Sequence, residues 1–214
     1  MGVGPFASRG VTRIMRLNLP VDEGTIRGLR VGDVIYVSGT LITMRDAGHK
    51  RLIEMLRRGV GPPVDLNGMA IFHAGPVATR DGDGWKVVAI GPTTSWRMEP
   101  YEADVIARTG VRIIIGKGMM GSRTAEACKH YGAVYAIYPG GAAALAVEKV
   151  KRVKAVMWLD LGIPEALWLL EIKDFGPLMI AIDSTGRNFY GERMKEINEK
   201  LRAVEDTIDR LSVV

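Results

Sequence analysis

Three turns in this sequence each present one long cationic side chain after an apolar segment. The three cations are Arg45, Arg97 and Lys117. Arginine binds a carboxylate through two parallel N–H groups, whereas lysine acts as a point charge. Because turns held by rigid elements carry much of the chemistry of proteins, we expect these side chains to surround one small, multiply negative ligand.

The middle turn also offers hydroxyl groups. Gly91-Pro92 ends an apolar run, since proline cannot continue a central strand, and Thr93, Thr94 and Ser95 follow before Arg97. Hydroxyls and a cation on one turn indicate an anion cradle. Arg45 precedes a predicted helix, whose first backbone amides also favour an anion. The alternative for Arg45 is a surface ion pair with Asp46.

A second interpretation of the third turn is nucleotide binding. Gly116, Gly118 and Gly121 match the spacing of the dinucleotide fingerprint, between a strand and a helix. The following strand ends at Pro139 without the acidic residue that would bind a ribose hydroxyl. We therefore favour a carboxylate site, built from helix-start amides and one ammonium group.

Composition limits the possible classes. The 214 residues are 47% hydrophobic and 25% charged, which is typical of a globular chain with a proper core. The net charge is +5, but the cations are scattered without a polybasic run, which disfavours nucleic acid. The chain has no glutamine and only four asparagines, which indicates a hot habitat.

The sequence predicts a cytoplasmic protein without a membrane span or signal peptide, because it lacks the apolar stretches that these need. The single cysteine, Cys128, excludes internal disulfides and cannot by itself hold a metal cluster. We expect it half-buried on a helix. His73 precedes Gly75-Pro76 near the same rim as the hydroxyl-rich turn, and we expect a structural, hydrogen-bonded role for it.

Hydrophobic periodicity predicts strands alternating with helices. The predicted strands cover 12–19, 34–42, 69–73, 85–90, 111–115, 133–138 and 178–182, with further candidates at 155–159 and 167–173. The predicted helices cover 47–58 after Asp46 as N-cap, 99–109 before Gly110, Ser122 as N-cap to Tyr131, and an alanine-rich segment after Gly141. Residues 1–11 have no periodicity and are predicted to form a loose arm.

The C-terminal segment, 191–214, has its own pattern. Apolar residues recur with spacings of 3, 4, 3, 4 and 3, which is a heptad seam; they are Met194, Ile197, Leu201, Val204, Ile208 and Leu211. The helix would pack either on another subunit or on its own domain.

Several motifs occur together in one order, and they lie within residues 12–190. They are Ser38-Gly39-Thr40, Arg45-Asp46 with His49, Ala74-Gly75-Pro76, Gly91-Pro92-Thr93-Thr94-Ser95 with Arg97-Met98, Gly116-Lys117-Gly118, Pro139-Gly140-Gly141, and the run from Trp158 to Glu165. This set resembles the β subunit, or C-terminal half, of the class I fumarate hydratase and tartrate dehydratase family.

The resemblance implies a swivelling β/β/α domain, an α/β fold with a mixed sheet flanked by helices. It also implies a partner α subunit that carries a [4Fe–4S] cluster on three cysteines, with an active site between the subunits. The cluster iron would act as a Lewis acid on the departing hydroxyl. A chain with one cysteine fits a cluster held elsewhere.

By the same resemblance, Arg45, Arg97 and Lys117 with Gly116 would bind a dicarboxylate, and Thr93 would act near the carbon that loses its proton. Such a hydroxyl needs activation, because its ordinary acidity makes it a poor base. Supporting roles fall to Thr94, Asp46 and His49, and the chain itself would hold no metal.

The leading hypothesis is therefore the β subunit of a fumarate hydratase, which interconverts fumarate and L-malate. A sister hypothesis is L-tartrate dehydratase, which gives oxaloacetate. Two hypotheses from other classes are a non-catalytic interaction subunit and a nucleotide-binding domain.

Overall fold

The computed structural model describes residues 12–211, so the predicted arm at 1–11 lies outside the described residues. The strands are β1 (Ile14–Asn18), β2 (Val34–Thr43), β3 (Ala70–Phe72), β4 (Val77–Asp81), β5 (Gly84–Ala89), β6 (Ile113–Gly116), β7 (Val134–Ile137), β8 (Val150–Met157) and β9 (Leu167–Ile182). The α-helices are α1 (Glu23–Arg27), α2 (Asp46–Arg57), α3 (Glu99–Thr109), α4 (Ser122–Tyr131), α5 (Ala143–Glu148) and α6 (Phe189–Leu211).

The main sheet has seven strands in the order β1-β2-β3-β6-β7-β9-β8. The pairings among β1, β2, β3, β6 and β7 are parallel, while β9 runs antiparallel to β7 and β8. Strand β9 also pairs antiparallel with β2. The pairings of β2, β3, β6, β7 and β9 therefore close into a ring, and β1 and β8 lie outside it.

Closure of this ring depends on the length of β9. Its first part pairs with β8 and its last part pairs with β7, while β2 lies along both. The two strands predicted at 167–173 and 178–182 are thus one strand, which is a correction. The sequence hid this continuity because Asp174 and Gly176 adopt positive φ, at 49° and 156°, and interrupt the alternation of side chains.

Alternate residues of the parallel strands face two separate apolar cores. On β6, Ile113 and Ile115 belong to the core inside the ring, together with Phe72. Ile114 belongs to the second core, with Ile71 and the buried faces of α2, α3 and α4. A mixed α/β fold is confirmed at this level, and the swivelling assignment remains a prediction.

The carboxyl ends of parallel strands meet at one edge of a sheet, which is where ligands of α/β proteins commonly bind. At this edge Arg45 follows β2, His73 follows β3 and Lys117 follows β6. The hairpin of β4 and β5 is predicted correctly from Asp81-Gly82-Asp83-Gly84. Bridges from Ala74 to Pro92 and from Thr94 to Lys117 then dock the hydroxyl-rich turn at the same edge.

Two predicted helix caps are wrong. The N-cap position of α2 is Arg45 rather than Asp46, and that of α4 is Gly121 rather than Ser122. Both helices instead receive a carboxylate from elsewhere in the chain, as described below. Gly110 does end α3 in the left-handed conformation, with φ of 71°, as predicted.

Helix α6 begins at Phe189, and the proposed domain boundary at 190/191 remains a prediction. Five of its heptad residues are 46% to 55% exposed: Met194, Ile197, Leu201, Val204 and Ile208. The side chain of Leu211 is outside the described set. Across residues 12–211, no helix combines the length and the apolar character that a membrane crossing requires.

Candidate active site

The turn after β5 brings Thr93 and Arg97 together. Thr93 precedes a 3-10 turn over Ser95–Met98 that contains Arg97, and Arg97 Nη2 donates to Thr93 Oγ1 at 2.6 Å. The backbone of the turn is fixed at both ends: Thr93 N donates to His73 O at 2.7 Å, and Ser95 N donates to Lys117 O at 3.0 Å. The hydroxyl of Thr93 therefore accepts a charged hydrogen bond.

Arg45 lies beside this turn, although 52 residues of sequence separate it from Arg97. Arg45 Nε is 3.0 Å from Glu165 Oε1 and 3.8 Å from Asp46 Oδ1. Arg97 Nη2 is 3.3 Å from the same oxygen of Asp46. The two arginines thus share one carboxylate, and the main partner of Arg45 is Glu165 rather than Asp46.

Lys117 contributes differently. Its backbone joins the Thr93 turn, but its side chain lines a cavity of about 430 Å³ with Tyr138, Gly140, Met179 and Tyr190. Lys117 Cδ lies 3.7 Å from the place where a Cβ of Gly140 would stand. The structure therefore joins Arg45, Arg97, Asp46 and Thr93 by side-chain contacts, and it joins Lys117 to Thr93 and Thr94 through the backbone.

Gly116 is required for space. A Cβ at this position would stand 1.8 Å from Ser95 Oγ and 3.1 Å from His73 Nδ1, well inside van der Waals contact. The absence of a side chain at Gly116 lets Ser95 lie between the strand end and the histidine.

A fully buried polar cluster lies behind the arginines. His73 Nδ1 is 3.0 Å from Ser95 Oγ, and His73 Nε2 is 2.8 Å from Glu102 Oε2. His49 Nε2 is 3.3 Å from the same Glu102 oxygen, and His49 Nδ1 is 2.8 Å from the carbonyl oxygen of Arg45. All four side chains are 0% exposed. His49, predicted as a supporting residue, and His73, predicted as structural, belong to one network.

Burial and neighbouring charge set the acidities in this cluster. Burial raises the pKa of Glu102, but the nearby imidazoles of His73 and His49 outweigh it and lower the pKa to about 2. Burial lowers the pKa of His73 below its ordinary value, against the attraction of Glu102. Glu102 is therefore ionised and His73 is neutral at pH 7.

The first turns of α2 and α4, which lie at this edge, already bind carboxylates of the chain itself. Glu165 Oε2 accepts from the backbone N–H of Ala47 at 3.0 Å, and Glu99 accepts from Gly121 N at 2.7 Å and from Thr124 Oγ1 at 2.6 Å. The expectation that helix-start amides contribute to the anion site stays a prediction, because in this structure both helix starts have a carboxylate of the chain as their partner.

Buried polar atoms without an aligned hydrogen bond mark the same region. Among the described residues they are Thr43 Oγ1, Arg45 Nε, Asp46 Oδ1, His49 Nε2 and Glu102 Oε1. Most buried polar groups are hydrogen-bonded, so such a concentration is unusual. It indicates a region specialised for function rather than for stability.

Sequence analysis assigned no role to Glu165, Glu99 and Glu102, and it placed Ser95 in the anion cradle, whereas its hydroxyl faces the buried His73. Glu102 carried a readable signal, because it shares the buried face of α3 with Val105 and Ile106, where a carboxylate is costly without a partner. Glu165 gave no local signal, since its partners lie more than one hundred residues away.

The residues of this chain do not fit an iron–sulfur cluster. The sequence contains one cysteine, and Cys128 is completely buried, not half-buried as predicted. Burial also raises the pKa of its thiol, away from the thiolate that a cluster needs. Ligand atoms of His49, His73 and Glu102 lie within 4.8 Å of one another, but direct contacts between these groups account for their positions.

Fold and site together define an α/β chain in which Arg45 and Arg97 meet on Asp46 at the carboxyl edge of the parallel strands. Comparison with known proteins agrees with that class. The sequence profile described as Fumarase C-terminus matches residues 7–193.

Three relatives show the range of similarity. The L(+)-tartrate dehydratase subunit beta of Escherichia coli (strain K12) is 46% identical over 192 residues, which cover 90% of this chain and 94% of the relative. A Methanocaldococcus jannaschii protein named "Putative L(+)-tartrate dehydratase subunit beta" is 46% identical over 177 residues, covering 82% and 91%. The "Putative fumarate hydratase class I" of Geobacillus stearothermophilus is 42% identical over 197 residues, covering 92% of this chain and 37% of that protein.

This chain belongs to the Fumarase C-terminus family, as a β-subunit-type member of the class I fumarate hydratase and tartrate dehydratase group. The predicted resemblance is confirmed, and the chain is a subunit of a hydro-lyase.

Proposed function

We propose that this chain is the β subunit of a two-subunit hydro-lyase that removes water from, or adds it to, a four-carbon dicarboxylate. The observation that supports this most strongly is the meeting of Arg45 and Arg97 on Asp46, with the Thr93 hydroxyl bonded to Arg97. The sharing of one acid by two guanidinium groups makes an arrangement that can receive the acidic groups of a ligand.

In this proposal the internal carboxylates stand where substrate carboxylates would bind. Asp46 and Glu165 neutralise the two arginines while no substrate is bound. A dicarboxylate would displace these partners and take two parallel hydrogen bonds from each guanidinium group. Lys117 would add positive charge from the neighbouring cavity, and Thr94 and Gly116 would hold the backbone of the two turns.

Thr93 would take the proton from the carbon next to a carboxylate group. The hydrogen bond from Arg97 supports this role, because donation to the oxygen stabilises its deprotonated form more than its protonated form. Oγ1 would first release its own proton to solvent. The resulting alkoxide would then take the proton from the substrate carbon, while the bond between the neighbouring carbon and its hydroxyl breaks and hydroxide leaves toward the partner subunit.

The remaining groups would come from an α subunit. The relatives named as subunit beta support a partner of this kind, and the poor fit of Cys128 to cluster binding supports a [4Fe–4S] cluster carried by that partner. Trp96 is 51% exposed next to Arg97, and we propose that it faces the partner across a shared site. Movement between the subunits is the role expected of a swivelling domain.

Two substrates fit the proposed clamp. L-malate, which gives fumarate, and L(+)-tartrate, which gives oxaloacetate, share both carboxylates and differ by one hydroxyl. L(+)-tartrate is supported as the second candidate substrate by the names of two relatives.

Two other hypotheses have less support. Nucleotide binding at Gly116-Lys117-Gly118 is disfavoured because Glu99 already occupies the start of α4, where phosphate would bind. A non-catalytic interaction subunit would not need the Arg97–Thr93 bond.

We also propose that α6 pairs with a second copy of this chain. Its apolar seam is about half exposed, and Lys200 and Glu205 flank the seam at positions that meet across a parallel pair of helices. Self-complementary charge of this kind supports a second copy as the partner, rather than the α subunit.

The proposal is tested by assembling the chain with its α subunit and measuring turnover of L-malate, fumarate and L(+)-tartrate. We expect activity with at least one of these acids and none from this chain alone. Arg97→Ala should lower kcat/KM on the order of 100-fold, because a desolvated carboxylate loses a charged partner. Arg123→Ala, on the exposed face of α4, is the matched control and should leave turnover unchanged.

A loss below tenfold for Arg97→Ala, in a complex that still assembles, would contradict the clamp. Strong turnover by this chain without the α subunit would contradict the shared site. Thermal stabilisation by NAD or ATP, without stabilisation by malate or tartrate, would favour the nucleotide hypothesis instead.

A further inference from the structure

The buried cluster connects the turn that carries Thr93 and Arg97 with the backbone of Arg45 at the start of α2. Starting from the Thr93 turn, Ser95 contacts His73, His73 contacts Glu102, Glu102 contacts His49, and His49 contacts the carbonyl of Arg45. These residues come from the turn before α3, the end of β3, helix α3 and helix α2. The cluster thus joins four elements through buried polar contacts.

The contacts of His49 fix how many protons it carries. Its Nδ1 lies 2.8 Å from the carbonyl oxygen of Arg45, and a carbonyl can only accept a hydrogen bond. Its Nε2 lies 3.3 Å from Glu102 Oε2, and an ionised carboxylate also only accepts. This contact is not an aligned hydrogen bond, but a lone pair on Nε2 would face a negative oxygen, whereas a proton there would be attracted to it. The geometry therefore favours a proton on both ring nitrogens and an ion pair between His49 and Glu102.

His73 reaches the opposite state. Its Nε2 donates to Glu102 Oε2 at 2.8 Å, while its Nδ1 faces the hydroxyl of Ser95, which can donate to it. A neutral ring satisfies both contacts. The other titratable groups that act on this cluster are Asp46 on His73, and Cys128 and Tyr135 near Glu102. The thiol and the phenol are kept neutral by burial, so Glu102 and Asp46 are the negative charges in reach.

We propose that Glu102 is a positioning residue of the hydro-lyase site that holds the second proton on His49. The resulting buried ion pair fixes the start of α2, next to Arg45, against the turn that carries Thr93 and Arg97. The inference rests on the proposed function for its catalytic consequence. The ion pair itself does not depend on that function.

The charge of Glu102, rather than its hydrogen bonds, is the feature to test. In Glu102→Gln the amide N–H groups can donate to Nε2 of both histidines, once His73 moves its proton to Nδ1 and donates to Ser95. This variant retains the shape and the hydrogen bonds but removes the negative charge. The doubly protonated form of His49 is then no longer stabilised by a neighbouring carboxylate. Asp104→Asn, on the same helix with a surface contact to Arg57, is the matched control.

The first measurement is the imidazole ¹H–¹⁵N spectrum of the full-length chain at pH 7. We expect two protonated nitrogens on His49 and one, Nε2, on His73, and we expect Glu102→Gln to remove one proton from His49. A neutral His49 in the unmodified chain overturns the proposal. Metal analysis that finds one tightly bound divalent ion per chain also overturns it, because the ion would take the place of the protons.

The second measurement is the kinetics of the complex with its α subunit, using L-malate and L(+)-tartrate. Glu102→Gln should lower kcat/KM at least fivefold with a raised KM, because Arg45 and Arg97 lose their alignment. Asp104→Asn should change kcat/KM by less than twofold. A smaller loss, or one confined to kcat with KM unchanged, overturns the positioning role. If the unmodified complex turns over neither acid, the proposed function fails, and the spectrum still decides whether the ion pair exists.

Discussion

At the scale of single residues, the site is built from charges that satisfy one another. Arg45 and Arg97 share Asp46, Arg45 also pairs with Glu165, and Arg97 donates to Thr93. Surface ion pairs contribute little to stability, because water screens them and ordering long side chains is costly. We therefore propose that these pairs serve ligand binding rather than stability, with the acidic groups of a ligand replacing Asp46 and Glu165.

Gly116→Ala tests the space requirement at this scale. The added methyl group would meet Ser95 Oγ at 1.8 Å and must displace it from His73. We expect a loss of about 1–3 kcal/mol in unfolding free energy, as for other overpacked interiors, and at least a tenfold loss of kcat/KM. Chemical denaturation and steady-state assays of the assembled complex measure the two effects.

Gly61→Ala is the control for that substitution, since nothing lies within 4 Å of its added Cβ. It should change neither quantity. Wild-type activity in Gly116→Ala would mean that the position of Ser95 is unimportant.

At the scale of elements, three parallel strands and one hairpin bring the active groups to one edge. Strands β2, β3 and β6 end at neighbouring points, and the bridge between Thr94 and Lys117 fixes the returning chain beside them. The starts of α2 and α4 are satisfied by Glu165 and Glu99. The fold thus stabilises these two helix starts with its own acids.

Leu201→Lys tests the proposed pairing of α6. A lysine in the middle of the apolar seam should prevent self-association, because its charge would be buried between two helices. Sedimentation or light scattering of the complex should show half the mass of the unmodified form. Turnover should be unchanged, because Leu201 is exposed and the α6 residue that lines the Lys117 cavity is Tyr190, near the start of the helix.

Glu199→Lys is the matched control, since it reverses a charge on the same helix outside the seam. It should retain the mass of the unmodified complex. An unmodified complex that already contains a single copy of this chain would contradict the pairing.

At the scale of the whole molecule, the buried cluster links stability to pH. The folded chain holds Glu102 at a pKa of about 2 and His73 below its ordinary pKa. The unfolded chain therefore binds more protons than the folded chain in acid, so stability falls as pH falls. The loss begins as pH drops below about 6.5, where an unfolded histidine gains its proton, and the contribution of Glu102 adds below about 4.5.

We expect the melting temperature to decrease steadily between about pH 6.5 and pH 4, with each proton contributing up to about 1.4 kcal/mol per pH unit. In His73→Gln, which retains a donor toward Glu102, the decrease between pH 6.5 and 5 should be shallower. The exposed His130→Gln is the control and should follow the unmodified curve. Calorimetry across this range measures the effect, and a constant melting temperature would contradict the buried charges.

Local pattern was enough to predict much of this chain. Alternating and helical periodicity identified most strands and helices, and Gly110 and the Asp81–Gly84 turn were read correctly, because these features depend on residues close in sequence. The ordered motifs identified the family. The candidates Arg45, Arg97, Lys117 and Thr93 followed from turns at strand ends and from that resemblance.

Tertiary structure alone decided the partners of those residues. The continuity of β9, the meeting of Arg45 with Glu165, and the capping of α2 and α4 by distant carboxylates join segments that are far apart in sequence. No periodicity within a helix or strand encodes such pairs, since closure of the sheet and packing of α3 set them. The sequence by itself determined which chemical groups stand at the edge, and the closed ring of strands determined which of them touch.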